Sequence, residues 1–195
     1  VKVPPLQAVG TGNMDEQAVI AATREWLEKA VIGLNLCPFA KAVYVKNQVR
    51  FVVSTARHLD GLLEDLDREL DFLAAADPDA VDTTLLIHPT LLPDFLDFND
   101  FTQLAEAAVD EHGLEGVIQI ASFHPQFQFE GTSPDDLGNY TNRAPFPTLH
   151  LLREASIERA VALFPEAESI YQRNIETLEA LGQAGWSALW AKPPK

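Results

Sequence analysis

Three short apolar runs at near-equal spacing constrain the fold of this chain more than any other feature. Val49-Arg50-Phe51-Val52-Val53, Thr84-Leu85-Leu86-Ile87 and Val117-Ile118-Gln119-Ile120-Ala121 each read as a strand. They stop at Ser54, His88 and His124, which are 34 and 36 residues apart. Each interval fits one βαβ crossover of about 30 residues. The first carries Leu59, Leu62, Leu66, Leu70 and Leu73 at helical spacing, with Ser54 and Thr55 as natural caps and Glu64 four residues before Arg68. The second carries Phe98, Phe101, Leu104 and Ala108, closed by Gly113. Strands alternating with helices imply a mainly parallel sheet packed by helices.

The flanks add to this frame. Val19, Ala22, Trp26, Ala30 and Leu34 mark a first helix, which Pro38 ends near residues 35–37. Phe127 and Phe129 alternate with polar residues, as in an extra edge strand. Residues 131–147 form a Gly-, Pro- and Asn-rich loop, and loops of that length are often functional. Leu149, Leu152, Ile157, Val161 and Phe164 suggest a helix broken near Ser156. A last helix carries Ile170, Ile175, Leu178 and Leu181, is capped by Gly182, and is followed by Trp186 and Trp190. The expectation is one α/β domain over residues 14–195, behind a flexible tail at 1–13. An α+β arrangement with a mixed, ferredoxin-like sheet is the alternative.

The charge balance narrows the partners. Lys plus Arg is 14 and Asp plus Glu is 29, a formal charge of −15. That field repels phosphate backbones and anionic membranes, and no run of Lys or Arg forms a basic stripe. A small anionic molecule remains possible if a few cations are focused in a cleft. One cysteine cannot form an internal disulfide, and the first residues show no signal-peptide pattern, so a cytoplasmic location is the expectation.

Three places carry residues suited to chemistry. In open parallel sheets ligands bind beyond the carboxyl ends of the strands, where His88 and His124 fall. The competing reading for each is a half-buried histidine with a backbone partner. Cys37 precedes Pro38; as the cap of a new helical turn its thiol would face free N–H groups, with Lys41 adding positive potential. The competing reading is a small buried hydrophobe between Leu36 and Phe39. Asn139, Tyr140, Asn142 and Arg143 gather amides, a phenol and a guanidinium in the long loop. Arg143 suits anion anchoring, or else pairs with one of the many carboxylates. No phosphate-cradling, dinucleotide, zinc-protease or nucleophile-elbow motif is present.

The segments LNLCPFAK (34–41), ASFHPQFQFEG (121–131) and YTNRAPFPTLHLLR (140–153), with Arg173-Asn174-Ile175, resemble a bacterial family, domain of unknown function 1415. The resemblance covers nearly everything after residue 14. The family commonly has Ser after the Asn-Arg pair; here Ala144 stands there, which tells against a hydroxyl role. The resemblance implies no activity to carry over.

Three functions follow as expectations. The first is an enzyme acting on a small anionic metabolite. It uses Cys37 as nucleophile and His124 as general base or acid, with Arg143, Asn142, Gln128, Lys41, Asn139 and Tyr140 around the substrate. The second is a metal protein with Cys37, His88 and His124 holding zinc or iron. The third is a non-catalytic binding or interaction module. No cofactor is implied by any motif.

Overall fold

The second strand of the sheet, β2 (Thr83–Ile87), is buried at all five residues, as a central strand must be. The computed structural model describes residues 15–164 and 166–190; the tail expected at 1–13 lies outside them. β1 (Val49–Val53) pairs parallel to β2, with Val49 opposite Thr83 and Val53 opposite Ile87. On the other side of β2 lies β4 (Thr148–Arg153), antiparallel, and beyond it β3 (Ile118–Phe123), antiparallel to β4. The order is β1-β2-β4-β3. β1, β2 and β3 therefore point one way, and Ser54, His88 and His124 follow their carboxyl ends at one edge.

The α/β class stands, but the sheet is mixed rather than mainly parallel, with one parallel and two antiparallel pairings, and the added strand is not at the edge and not at Phe127 and Phe129. There the Phe127 N–H bonds the His124 carbonyl and the Phe129 N–H bonds the Asn139 side chain, so no ladder forms. The added strand is instead the run around Leu149 and Leu152, where a helix is expected. Its apolar residues face both ways, a pattern that periodicity alone cannot assign. In the structure β4 fills the gap that the β2-to-β3 crossover skips, and the helix after it starts only at Glu154.

Two helical layers cover the sheet. On one face lie α3 (Leu59–Ala75) and α4 (Phe95–Glu111). Leu62, Leu66, Leu70 and Leu73 of α3 meet Phe98 and Phe101 of α4 over Leu86, Leu149 and Ile118. Truncating any one of these buried leucines to alanine costs about 2–5 kcal/mol. On the other face α1 (Glu16–Trp26) puts Val19 on Leu85 and Ile87. It runs on as a π-helix over Leu27–Ile32. The short α2 (Ala40–Val45), α5 (Glu154–Ala162) and the long α6 (Ile170–Leu189) complete the chain. Gly182 takes φ 67 and ψ 171 and bends α6, and Trp186 and Trp190 then meet with ring centroids 5.5 Å apart. Among the described residues no helix is long and apolar enough to cross a membrane.

Two expected details of α3 differ. Its cap is His58, without a side-chain bond. Ser54 instead donates to Asp65 at 2.5 Å and accepts from the Ala56 N–H. Arg68 pairs with Asp65, not Glu64.

His112, just past α4, bridges back to α3. Its Nδ1 lies 2.9 Å from Asp71 and its Nε2 3.0 Å from Asp67. Burial lowers the imidazole pKa, but the Asp71 and Asp67 carboxylates outweigh it, so the net shift is upward from 6.5. A raised pKa means that the folded chain binds this proton more tightly than the unfolded chain. The clamp is complete below pH 6.5 and fades as pH rises through the raised value. His112→Ala is therefore expected to lower urea-unfolding stability most at pH 5.5, with a gap that narrows by pH 9. A gap independent of pH would contradict this.

Candidate functional site

The connection from β3 to β4, residues 124–147, carries most of the polar residues that stand out in the sequence. So long a segment without ladder partners must satisfy its backbone through turns and side chains. Asn139 is fully buried. Its Oδ1 accepts from the Phe129 N–H at 3.0 Å and the Thr132 hydroxyl at 2.9 Å, and its Nδ2 donates to the Ser133 carbonyl at 2.8 Å. Gln128 donates to the Thr132 carbonyl at 2.6 Å. Arg143 donates to the carbonyls of Phe127 (3.1 Å) and Pro134 (2.7 Å) and lies over the Tyr140 ring. Tyr140 donates to Gln183 and packs edge-on against Trp186. Asn142 donates to the Ser122 carbonyl at 3.1 Å. These side chains, expected around a substrate, hold the loop together. Lys41 is exposed on α2 and makes no ion pair with the described residues.

His124 anchors the start of this connection. Its backbone N–H bonds the Asn142 carbonyl. Its Nδ1 accepts from the Gln126 N–H at 3.0 Å, which assigns the ring proton to Nε2, 3.1 Å from the Leu92 carbonyl. Burial lowers its pKa, and the Leu92 carbonyl and Asp94 offset only part of that. Both ring nitrogens are engaged by backbone, so the imidazole has no nitrogen left for a substrate in this geometry.

His88 is also fully buried, and neither ring nitrogen has a hydrogen-bond partner among the described residues. It packs between Phe98 and Phe101, with centroids at 5.7 and 6.4 Å. Burial pulls its pKa from 6.5 to about 4.

Cys37 is half-buried in a different cluster, with Trp26, Leu36, Tyr140 and Leu178. It does not cap a helix: α2 starts at Ala40 with Phe39 as cap. The N–H groups of Phe39 and Ala40 do favour its thiolate, but burial outweighs them and pushes the thiol pKa up. The activation expected from sequence is thus reversed by desolvation. His124 belongs to the α4 side of the sheet, against Phe95 and Phe98, and no hydrogen bond joins it to Cys37. Among the described residues no three His, Cys, Asp or Glu side chains converge as metal ligands, so Cys37, His88 and His124 are not assembled into one set.

The structure brings together a different group beside Cys37. The π-helix is a rare form that often marks functional sites. It ends at Gly33, where a Cβ would lie 2.3 Å from the Lys29 carbonyl oxygen. Asn35 then takes a left-handed φ of 55. Against this turn lies α6, whose buried Asn174 donates to the Leu36 carbonyl at 2.8 Å. Between them is a cavity of about 170 Å³. Leu34, Pro38 and Ile170 form its apolar wall; Asn35, Arg173, Asn174 and Thr177 are its polar residues. Among the described residues Arg173 has one carboxylate within 4.0 Å, Glu166 at 3.8 Å, beyond hydrogen-bond distance, and it lies over the Phe164 ring. Sequence reasoning names Arg173 and Asn174 only through the family resemblance. The available signal is that Asn174 interrupts the Ile170-to-Leu178 stripe of α6 with an amide.

His88 supplies a test of this description. The unfolded chain takes up its proton near pH 6.5 and the folded chain only near 4. The His88 contribution to stability therefore falls as pH drops through 6.5 and levels off below 4, by about 3 kcal/mol. Replacing the unpartnered ring by leucine (His88→Leu) is expected to keep or raise stability at pH 7 and to flatten this acid loss, as read by urea unfolding. An undiminished acid loss in the variant would contradict the assignment.

No curated protein and no solved structure matches the chain. The model of the family described as "Protein of unknown function (DUF1415)" matches residues 18–188. That span takes in the turn at Asn35 and Cys37, the His124 connection and the Arg173-Asn174 pair of α6. The chain belongs to the DUF1415 family.

Proposed function

We propose that this protein binds a small oxyanion, a carboxylate or phosphate group of a small molecule, in the cavity between the Asn35 turn and α6. The observation that carries the reading is Arg173 at the rim of a concave site whose other polar groups are neutral. Small-molecule sites typically join apolar walls to a few convergent polar groups. A guanidinium grips an oxyanion through two parallel N–H bonds. The amide of Asn35 and the hydroxyl of Thr177 add donors. Asn174 is tied to the Leu36 carbonyl, so this wall is organised before a ligand arrives.

The reading keeps the small anionic partner expected from sequence and moves its anchor from Arg143 to Arg173. It is a binding function. The Cys37 thiol, raised in pKa, is protonated at neutral pH, and its expected base His124 is engaged elsewhere.

Inorganic phosphate serves as the probe. At about ten times its Kd it is expected to stabilise the fold by about 1.4 kcal/mol. For a protein of this size that is roughly 3–6 °C in Tm. Arg173 is 41% exposed, so Arg173→Met is expected to fold and to lose the shift. The proposal fails if the variant keeps the shift or if chloride at equal ionic strength reproduces it.

A further inference from the structure

A second concave site lies on the opposite helical layer, at the sheet edge where β1 and β2 end. It is a groove of about 380 Å³ between the first turn of α3 and the N-terminal half of α4. Leu59, Leu91, Leu92, Pro93, Phe101 and Leu104 form its walls. Leu59 and Leu104 are 41% and 49% exposed. The remaining lining residues are Asp97 and Asp100, one turn apart on α4. Neither has an ion-pair partner among the described residues, and no Lys, Arg or His lines the groove.

We propose that this groove binds an amphipathic amine, with its ammonium group on Asp97 and Asp100 and its apolar part against the leucines. The volume falls within the range of small-molecule sites, about 300–1,000 Å³. The sign of the ligand follows from the lining. Two unpaired carboxylates in a chain of charge −15 repel an anion and attract a cation. The apolar part follows from the exposed leucine surface, which gains by leaving water. The floor is preformed. His124 donates to the Leu92 carbonyl, and Thr90 donates to the Ala56 carbonyl at 2.9 Å, tying the loop after β2 to the loop after β1. Phe101 beneath is buried against His88. The site is independent of the oxyanion cavity: they lie on different layers and share no residue.

The test is an amide NMR titration of the full chain with n-octylammonium below its micelle concentration, with n-octanol as the uncharged comparator. Octylammonium is expected to shift Leu59 and residues 91–104 and to bind more tightly than octanol. The double variant Asp97→Asn, Asp100→Asn alters two exposed side chains. It is expected to weaken octylammonium about five- to tenfold, from two solvent-facing charge contacts, and to leave octanol unchanged. Leu104→Arg is expected to abolish binding of both probes. Shifts scattered over the surface, no shifts, or equal binding of the two probes to the unmodified protein would overturn the proposal.

Discussion

The imidazole of His124 is the contact on which the arrangement of this edge depends. β3 must return to pair antiparallel with β4 inside the sheet, and the chain takes residues 124–147 to do it. Backbone groups that leave a strand ladder need other partners. His124 answers three of them at once, through the Asn142 carbonyl, the Gln126 N–H and the Leu92 carbonyl. The two ring bonds, to the Gln126 N–H and the Leu92 carbonyl, require a neutral imidazole with its proton on Nε2. Burial keeps it neutral. The ring thereby holds the loop after β2 to the start of the long connection, and the His124 backbone N–H holds the short helix at Leu137–Asn142.

This constraint redistributes the polar residues. Asn139, Asn142, Arg143 and Gln128 look like a recognition surface when written in a line. In space each donates to a carbonyl of the same connection or of β3. Such a polar cluster, each member donating to a backbone carbonyl, favours one loop conformation. The donors of Arg173 are in the opposite condition. The nearest carboxylate is outside hydrogen-bond reach, and a cavity adjoins the guanidinium. The turn facing it combines a π-helix, a tight Gly33 and a left-handed Asn35, a concentration of unusual backbone that regular packing does not require.

Much of the frame was legible because it is local. The runs ending at Ser54, His88 and His124 became β1, β2 and β3, and the leucines of α3 fall on its buried stripe. The left-handed Gly113 and Gly182 lie where the helical patterns stop. The insertion of β4 was not legible. Leu149 and Leu151 face α3 and α4, while His150 reaches the Thr83 hydroxyl and Phe123 on the other side. A strand buried on both faces has the composition of a buried helix. The site residues divide in the same way. A thiol beside N–H groups suggests a lowered pKa, but burial depends on distant Trp26 and Leu178 and reverses the sign. Whether an arginine meets a carbonyl or a cavity is decided by long-range packing, so Arg143 and Arg173 cannot be told apart in one dimension.

If an oxyanion binds between α6 and the Asn35 turn, the loop around Arg143 is scaffold and stays silent when the anion is added. Mapping amide chemical shifts during a titration with inorganic phosphate at constant ionic strength tests it most directly. Shifts are expected to concentrate at residues 34–38 and 170–177, with residues 139–143 unmoved. Shifts centred on residues 139–143, with the α6 cavity silent, would contradict it.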